Sequence, residues 1–229
     1  MIAFPPRRAA LFQNREHAGQ VLAESLRSFA GRNDVIVLGL PRGGAPVAYQ
    51  VACALQVPWD VFLVRKLGVP GHEELAMGAI ASGGVCVPNE PVIRDAEITP
   101  REFEEVAARA RQELARREQV FRGNRPVPNL HGKTVILVDD GLATGSTMHA
   151  AVQAVRHLSP AHIVVAVPVA AESTRDEFFG EVDQIVCAFT PRQFRAVGLY
   201  YDDFSQTTDA EVCELLHRRT AADTTPSAN

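Results

Sequence analysis

Lysine is nearly missing from this chain. Of its 23 basic residues only Lys66 and Lys133 are lysine, and the other 21 are arginine. A skew of that size is compositional, so the arginines as a class carry little information and the two lysines carry more. Net charge is −4, which leaves no global basic field to recruit nucleic acid or acidic membranes. Cysteine is scarce and scattered: Cys53, Cys86, Cys187 and Cys213 form no Cys-x-x-Cys pair. That spacing argues against a zinc site and fits a reducing cytosol. No apolar stretch reaches membrane-spanning length, and Met1 to Arg8 has no long apolar core, so the expected location is the cytoplasm. Three motifs are also missing. No Gly-Lys-Ser/Thr marks a nucleotide-hydrolase P-loop, no Gly-x-Gly-x-x-Gly marks a dinucleotide site, and His72-Glu73-Glu74 lacks the second histidine of a zinc protease. What remains is ordinary soluble composition, 46% hydrophobic and 22% charged in 229 residues. It suits one large domain or a core with a subdomain.

The pattern along the chain alternates strands and helices. Asn14 can cap a helix over 15–30, with Ala18, Val21, Leu22, Leu26 and Phe29 on one face and Gly31 ending it. Val35 to Leu40 reads as the first central strand, 46–55 as a helix and 60–65 as the second strand. Residues 78–87 read as a hairpin around Gly83-Gly84. Thr99-Pro100-Arg101-Glu102 is a capping box opening a long helix to about Phe121, whose charged face is read as solvated. A Pro-, Gly- and Asn-rich linker over 123–133 follows. Strands at 162–169 and 182–189 flank a helix at 171–180, and Thr208 with Glu211 caps the last helix. Such alternation predicts an α/β fold with a doubly wound, mostly parallel sheet.

Residues 135–147, Val-Ile-Leu-Val-Asp-Asp-Gly-Leu-Ala-Thr-Gly-Ser-Thr, are the most informative run. A buried strand ends in two carboxylates, Asp139 and Asp140, and a short hydroxylated loop leads into a helix. Strand ends of this kind present ligand groups in α/β sheets. Gly145 admits close backbone approach, and the first helical turn offers free N–H groups to an anion. Paired acids beside a phosphate cradle suit a phosphorylated sugar. Asp-Asp alone could be an ordinary capped strand end; the full pattern is much rarer. A phosphatase of the Asp-x-Asp-Gly-Thr kind is excluded because the acids are adjacent.

The run resembles the phosphoribosyl-pyrophosphate (PRPP) signature of type I phosphoribosyltransferases. The resemblance implies that Asp139 and Asp140 bind the ribose hydroxyls and that Ala143, Thr144, Gly145, Ser146 and Thr147 hold the 5′-phosphate. Gly141 stands where the family usually has an aliphatic residue. Ala143 resembles adenine-type members rather than those carrying a base-contacting aspartate there.

Three further segments carry the resemblance. Gly39-Leu40-Pro41-Arg42-Gly43-Gly44 follows the first strand, and its glycines and forked Arg42 charge suit an anion. It looks like the family's pyrophosphate loop, with a cis peptide expected at Pro41–Arg42. Arg65-Lys66 and the Gly68…Pro70-Gly71 hinges resemble the flexible catalytic loop of adenine-type members. Lys66 would then serve the pyrophosphate, and Glu74, or its neighbour Glu73, could approach the nucleophile. Residues 196–204 look like the hood of purine-type members, with Phe194, Tyr200 or Tyr201 available to stack on a base and Asp202 as the metal-side acid.

The resemblance, over about 35–205, implies a type I phosphoribosyltransferase core with a small C-terminal hood (about 189–208) and a helical insert (about 90–125). Residues 1–33 would pack a helix on the core, 34–217 form the domain, and 218–229 a disordered tail. The implied reaction is Mg²⁺-dependent transfer from PRPP to a nitrogen nucleophile, a purine-like or other nucleobase-like acceptor, with release of pyrophosphate. The implied catalytic residues are Asp139, Asp140, Lys66 and Glu74. Pro41, Arg42, Gly43, Gly44, Arg65 and Tyr201 join the phosphate loop in binding substrate. A PRPP-sensing regulator without turnover is the alternative. The insert leaves two roles open, a homodimer surface or a wall of the acceptor pocket.

Overall fold

The computed structural model describes residues 10–218. Strands β1 (Val35–Gly39), β2 (Trp59–Val61), β6 (Thr134–Val138), β7 (His162–Val169) and β8 (Gln184–Phe189) form one sheet in the order β2-β1-β6-β7-β8. Every pairing in it is parallel. β1 and β6 are buried along their whole length, so they read as continuous apolar runs rather than alternating ones. Their side chains alternate between faces. Val35, Val37, Ile136 and Val138 point to α1 (Arg15–Glu24) and α2 (Gly44–Leu55), where they meet Leu22, Val47 and Val51. Ile36, Leu38, Val135 and Leu137 point to α5 (Ser146–His157), meeting Met148, Ala151 and Val155. Helices on both faces make the expected doubly wound core.

A second sheet packs beside it. Strands β3 (Val64–Val69), β4 (His72–Ala81) and β5 (Val85–Pro88) are antiparallel, in the order β3-β4-β5. The expected single strand over 60–65 is therefore two strands in different sheets. β2 ends at Val61, and the buried pair Phe62 and Leu63 carries the chain across. The stretch expected to hold the hinged catalytic loop is strand-paired. Residues 65–74 form most of a two-stranded arm, β3–β4, with a bulge at Gly68 and its turn at Pro70-Gly71. Arm and insert share a core: Leu67, Val69, Met77 and Ile80 pack against Ala107, Ala110 and Leu114 of α4 (Pro100–Arg122) and Leu216 of α7 (Asp209–His217).

The capping boxes at Thr99/Glu102 and Thr208/Glu211 are both formed. The first helix is shorter than its periodicity suggests, ending at Glu24, with a 3-10 turn over Arg27–Phe29. The other short helices are α3 (Glu90–Asp95) and α6 (Glu172–Glu177). Arg122, 4% exposed, anchors the end of α4. Its guanidinium donates to Asp60 Oδ2 at 3.0 Å, Glu118 at 3.1 Å, Ser82 Oγ at 3.3 Å and the Val61 carbonyl. Among the described residues no helix is long and apolar enough to cross a membrane. Residues 219–229, most of the expected tail, lie outside the described residues.

Candidate active site

Strand order decides where a ligand can sit. From β1 the chain runs outward to β2, and from β6 it runs the other way to β7 and β8, so the order reverses between β1 and β6. The crevice beyond the carboxyl ends of such a pair is the usual ligand site of an open α/β sheet. Two of the expected loops meet there. The Leu40 N–H donates to the Val138 carbonyl at 2.8 Å, and Pro41–Arg42 is cis. Gly43 and Gly44 then lie directly against the acids. A Cβ on Gly43 would stand 2.1 Å from Asp140 Oδ2, and one on Gly44 would stand 2.6 Å from the Val138 carbonyl. Backbone leaves room only for glycine at 44, and a side chain at 43 would have to displace the Asp140 carboxylate.

The acidic pair is tightly constrained. Asp139 Oδ1 accepts the Asp140 N–H at 2.8 Å. Burial, and then the charge of Asp140, hold the Asp139 carboxyl well above the usual carboxylate range. Burial also raises Asp140, but the Arg15 guanidinium opposes that shift. Arg15 Nε lies 2.8 Å from Asp140 Oδ2, the side chains being 12% and 15% exposed. Its Nη1 donates to the Ser205 carbonyl at 2.7 Å, and its guanidinium lies 4.0 Å from the Phe204 ring centroid. One arginine of the N-terminal helix thus ties the acidic loop to the hood.

Residues 143–147 form a compact loop. Thr174 Oγ1 donates to the Ala143 carbonyl at 2.8 Å, and the Thr144 and Ser146 hydroxyls lie 3.2 Å apart. Gly145 caps α5 from the left-handed region, φ +66°, leaving the N–H groups of the first turn without side-chain partners. Ala143, Thr144, Ser146 and Thr147 are exposed. Gly141 is explained by the hood: Val197 Cγ1 lies 2.6 Å from where its Cβ would be.

A family model, the phosphoribosyl transferase domain, matches residues 8–183. The chain belongs to that family. Two Mycobacterium tuberculosis proteins, named provisionally as phosphoribosyl transferases, are 45% identical over 208 residues. The match takes in 91% of this chain and 47% of each of theirs, so the chain spans about half the length of those curated relatives. The crystal structure of protein TT1426 from Thermus thermophilus is 42% identical, with a TM-score of 0.81 over 90% of this chain and 97% of that one. The mostly parallel α/β core is thus the phosphoribosyl transferase fold.

Within this phosphoribosyl transferase domain some expected residues sit elsewhere. Tyr201 is 5% exposed, packed on Phe12 and Phe204, and its hydroxyl donates to the Asp140 carbonyl at 2.6 Å. Its ring has no free face for a base, so its contact is with the acidic loop rather than an acceptor. Asp202 is exposed, at a bend directly after Tyr201, and its N–H donates to the Phe12 carbonyl at 2.9 Å. No group of three metal-ligating side chains occurs among the described residues.

Lys66 and Arg65 line a cavity of about 690 Å³ along the arm, together with Thr147 and with Val106, Arg109 and Ala110 of α4. Glu73 lines it too; Glu74 is not among its walls, so the nearer carboxylate is Glu73. Arg42 reaches the start of α7, 3.8 Å from Asp209. Arg15 and Arg109 were not anticipated. Arg15 did leave a local trace: a cation at the first position of a helix opposes the macrodipole and needs an acidic partner.

Proposed function

We propose that this domain transfers the phosphoribosyl group of PRPP to a nitrogen nucleophile and releases pyrophosphate. The observation that carries the reading is the contact of the Pro41–Gly44 loop with the Asp139–Asp140 pair at the point where strand order reverses. A sugar phosphate with a second phosphate group needs both loops together, whereas a simple phosphate binder would need one.

In this reading Asp139 and Asp140 accept hydrogen bonds from the ribose 2′- and 3′-hydroxyls. Backbone N–H groups of 143–147 and the hydroxyls of Thr144, Ser146 and Thr147 take the 5′-phosphate. Arg42, Arg65 and Lys66, joined by Arg109, receive the pyrophosphate. The acceptor nitrogen forms a bond to C1 as the C1–oxygen bond breaks. Pyrophosphate leaves with that electron pair, and a proton carried by the nitrogen passes to Glu73 or to water. Bond breaking leads, so positive charge builds on the ribose ring. The adjacent carboxylates favour that charge, while Arg15 keeps Asp140 ionised beside its neighbour. Tyr201 positions the Asp140 backbone.

Magnesium, when bound, neutralises the leaving pyrophosphate. The chain offers it the Asp139–Asp140 pair rather than a cage. That fits an ion that keeps several waters and takes one or two carboxylates beside phosphate oxygens.

PRPP with Mg²⁺ should raise the melting temperature, equivalent to about 2.7 kcal/mol at a hundredfold excess over its dissociation constant. Asp139→Asn with Asp140→Asn should abolish the shift in a protein that still folds. Arg42→Ala should weaken pyrophosphate binding far more than ribose 5-phosphate binding by calorimetry. An unchanged shift in the double variant sinks the sugar-site assignment. Clear PRPP binding without pyrophosphate release for any acceptor would favour a sensor, but the cations along the arm serve a leaving group that a sensor does not need.

A further inference from the structure

The phosphate loop does not support itself. Residues 142–149 run beside a second segment, 170–181, and meet it at successive points. Leu142 bridges to Ala170 in the parallel sense of β6 and β7, and the Ala171 N–H donates to the Leu142 carbonyl at 3.3 Å. Thr174 Oγ1 donates to the Ala143 carbonyl at 2.8 Å. Gly145 has the same threonine and Phe178 directly behind it: a Cβ there would stand 3.0 Å from Thr174 Cγ2 and 3.2 Å from Phe178 Cε2. Phe178 is clamped in turn. The His149 ring stacks on it with centroids 4.0 Å apart at 8°, and Glu181 and Glu177 hold the two ring nitrogens of His149 at 2.8 and 3.4 Å.

Within this brace Thr174 is the one side chain that grips the loop backbone. It is 5% exposed, and few polar side chains among the described residues are buried as deeply. A buried hydroxyl is costly unless it is hydrogen-bonded. A threonine inside a helix commonly bonds back to its own preceding turn. Thr174, in α6, instead gives its proton to a carbonyl 31 positions away in the chain. The other side of the loop is open, with Ala143, Thr144, Ser146 and Thr147 exposed.

We infer that Thr174 is a positioning residue for the 5′-phosphate, acting through the Ala143–Thr144 peptide. The inference rests on the phosphoribosyl transfer reading and adds to it a residue outside the signature run. That peptide is trans, so its C=O and N–H point in opposite directions. With the carbonyl drawn back toward α6, the Thr144 N–H points to the open side of the loop. There it joins the N–H groups of the first turn of α5, which have no side-chain cap. Released from Thr174, the peptide is free to turn over. One donor to the phosphate would be lost, and a carbonyl oxygen would face the anion in its place.

Thr174→Val tests this, because it removes the donor at nearly unchanged shape. Ribose 5-phosphate and pyrophosphate are titrated by calorimetry into the unaltered protein and the variant. Ribose 5-phosphate should bind about tenfold more weakly to the variant, the scale of one hydrogen bond to a charged group, while pyrophosphate binding is unchanged. Thr174→Ser keeps the hydroxyl and loses only the methyl, so it should restore most of the affinity. Arg42→Ala is expected to give the opposite pattern, which separates the two phosphate sites. Should the valine variant fold poorly, Thr174→Ala removes the same donor with a smaller side chain and should show the same selective loss. Equal losses for both ligands, an unchanged affinity for ribose 5-phosphate, or a serine variant as weak as the valine one would overturn the inference and leave Thr174 as packing. If the unaltered protein itself binds pyrophosphate but no ribose 5-phosphate, the sugar-phosphate reading of the loop falls, and the role of Thr174 falls with it.

Discussion

Replacing Arg15 with glutamine should destabilise the protein by an amount that depends on pH. The arginine makes three contacts, and they separate into two classes. Losing the hydrogen bond to the Ser205 carbonyl and the face of Phe204 removes about 1 kcal/mol at any pH. Losing the Asp140 pair removes the partner of a charge that is 15% exposed and sits beside a second carboxyl. Breaking a fully buried pair costs about 3–5 kcal/mol, and the partial exposure here reduces that to about 2. The second amount applies only while Asp140 is ionised. Burial already raises the Asp140 carboxyl above its unfolded value, and Arg15 restrains that rise. A raised carboxyl means that the folded state binds the extra proton, so stability falls as pH climbs from the ordinary carboxylate range through the raised value. Without Arg15 the rise is larger and the fall deeper. Urea unfolding should therefore show a loss of about 3 kcal/mol at pH 8 and a smaller one, falling toward about 1 kcal/mol, at an acid pH where the Asp140 carboxyl has taken up its proton. In an Asp140→Asn background most of the pH-dependent part should disappear, leaving the weaker effect of the Arg15 charge on Asp139. An equal loss at both pH values, or the full loss in that background, would refute a charge-coupled role and leave Arg15 as packing.

Further expectations concern the same framework. Asp139→Asn should stabilise the unliganded fold at neutral pH, because burial and Asp140 disfavour its charge, while abolishing the PRPP shift; a destabilised variant at pH 7.5 would contradict this. Gly43→Ala should displace the Asp140 carboxylate, lose about 1–3 kcal/mol and weaken PRPP binding more than pyrophosphate binding, as paired calorimetric titrations would show. Arg122→Leu should cost about 3–5 kcal/mol in denaturant unfolding by leaving Asp60 buried and unpaired, and a loss below 1 kcal/mol would mean that water reaches that network.

What could be read from the sequence was whatever short-range chemistry specifies. The capping boxes at Thr99 and Thr208, the apolar runs of β1 and β6 and the signature loop all lie within a few residues, and each formed where expected. The pairing of the arm was not legible because Pro70-Gly71 looks like a hinge from either side, while pairing across it depends on Leu67, Val69 and Met77 finding α4. Tyr201 was misread for a related reason: an aromatic near a binding loop has the same signature whether it faces a base or is buried against Phe12. Arg15 and Asp140 are 125 positions apart, and no local period reports a contact of that range.

The way Phe12 and its neighbours zip onto 200–203 has a consequence for how the chain folds. The Phe12 N–H donates to the Tyr200 carbonyl, and the Asp202 and Asp203 N–H groups donate to Phe12 and Gln13. The acidic loop is therefore clasped by segments from opposite ends of the described chain, while β1 must find β6 across the whole arm and insert. Contacts of such long range carry the largest loop-closure entropy and form late. The sugar site should therefore not exist in any partly folded state, and PRPP should slow unfolding while leaving the refolding rate nearly unchanged. A newly made chain would compete for PRPP only after residues 200–203 have docked on Phe12 and Gln13.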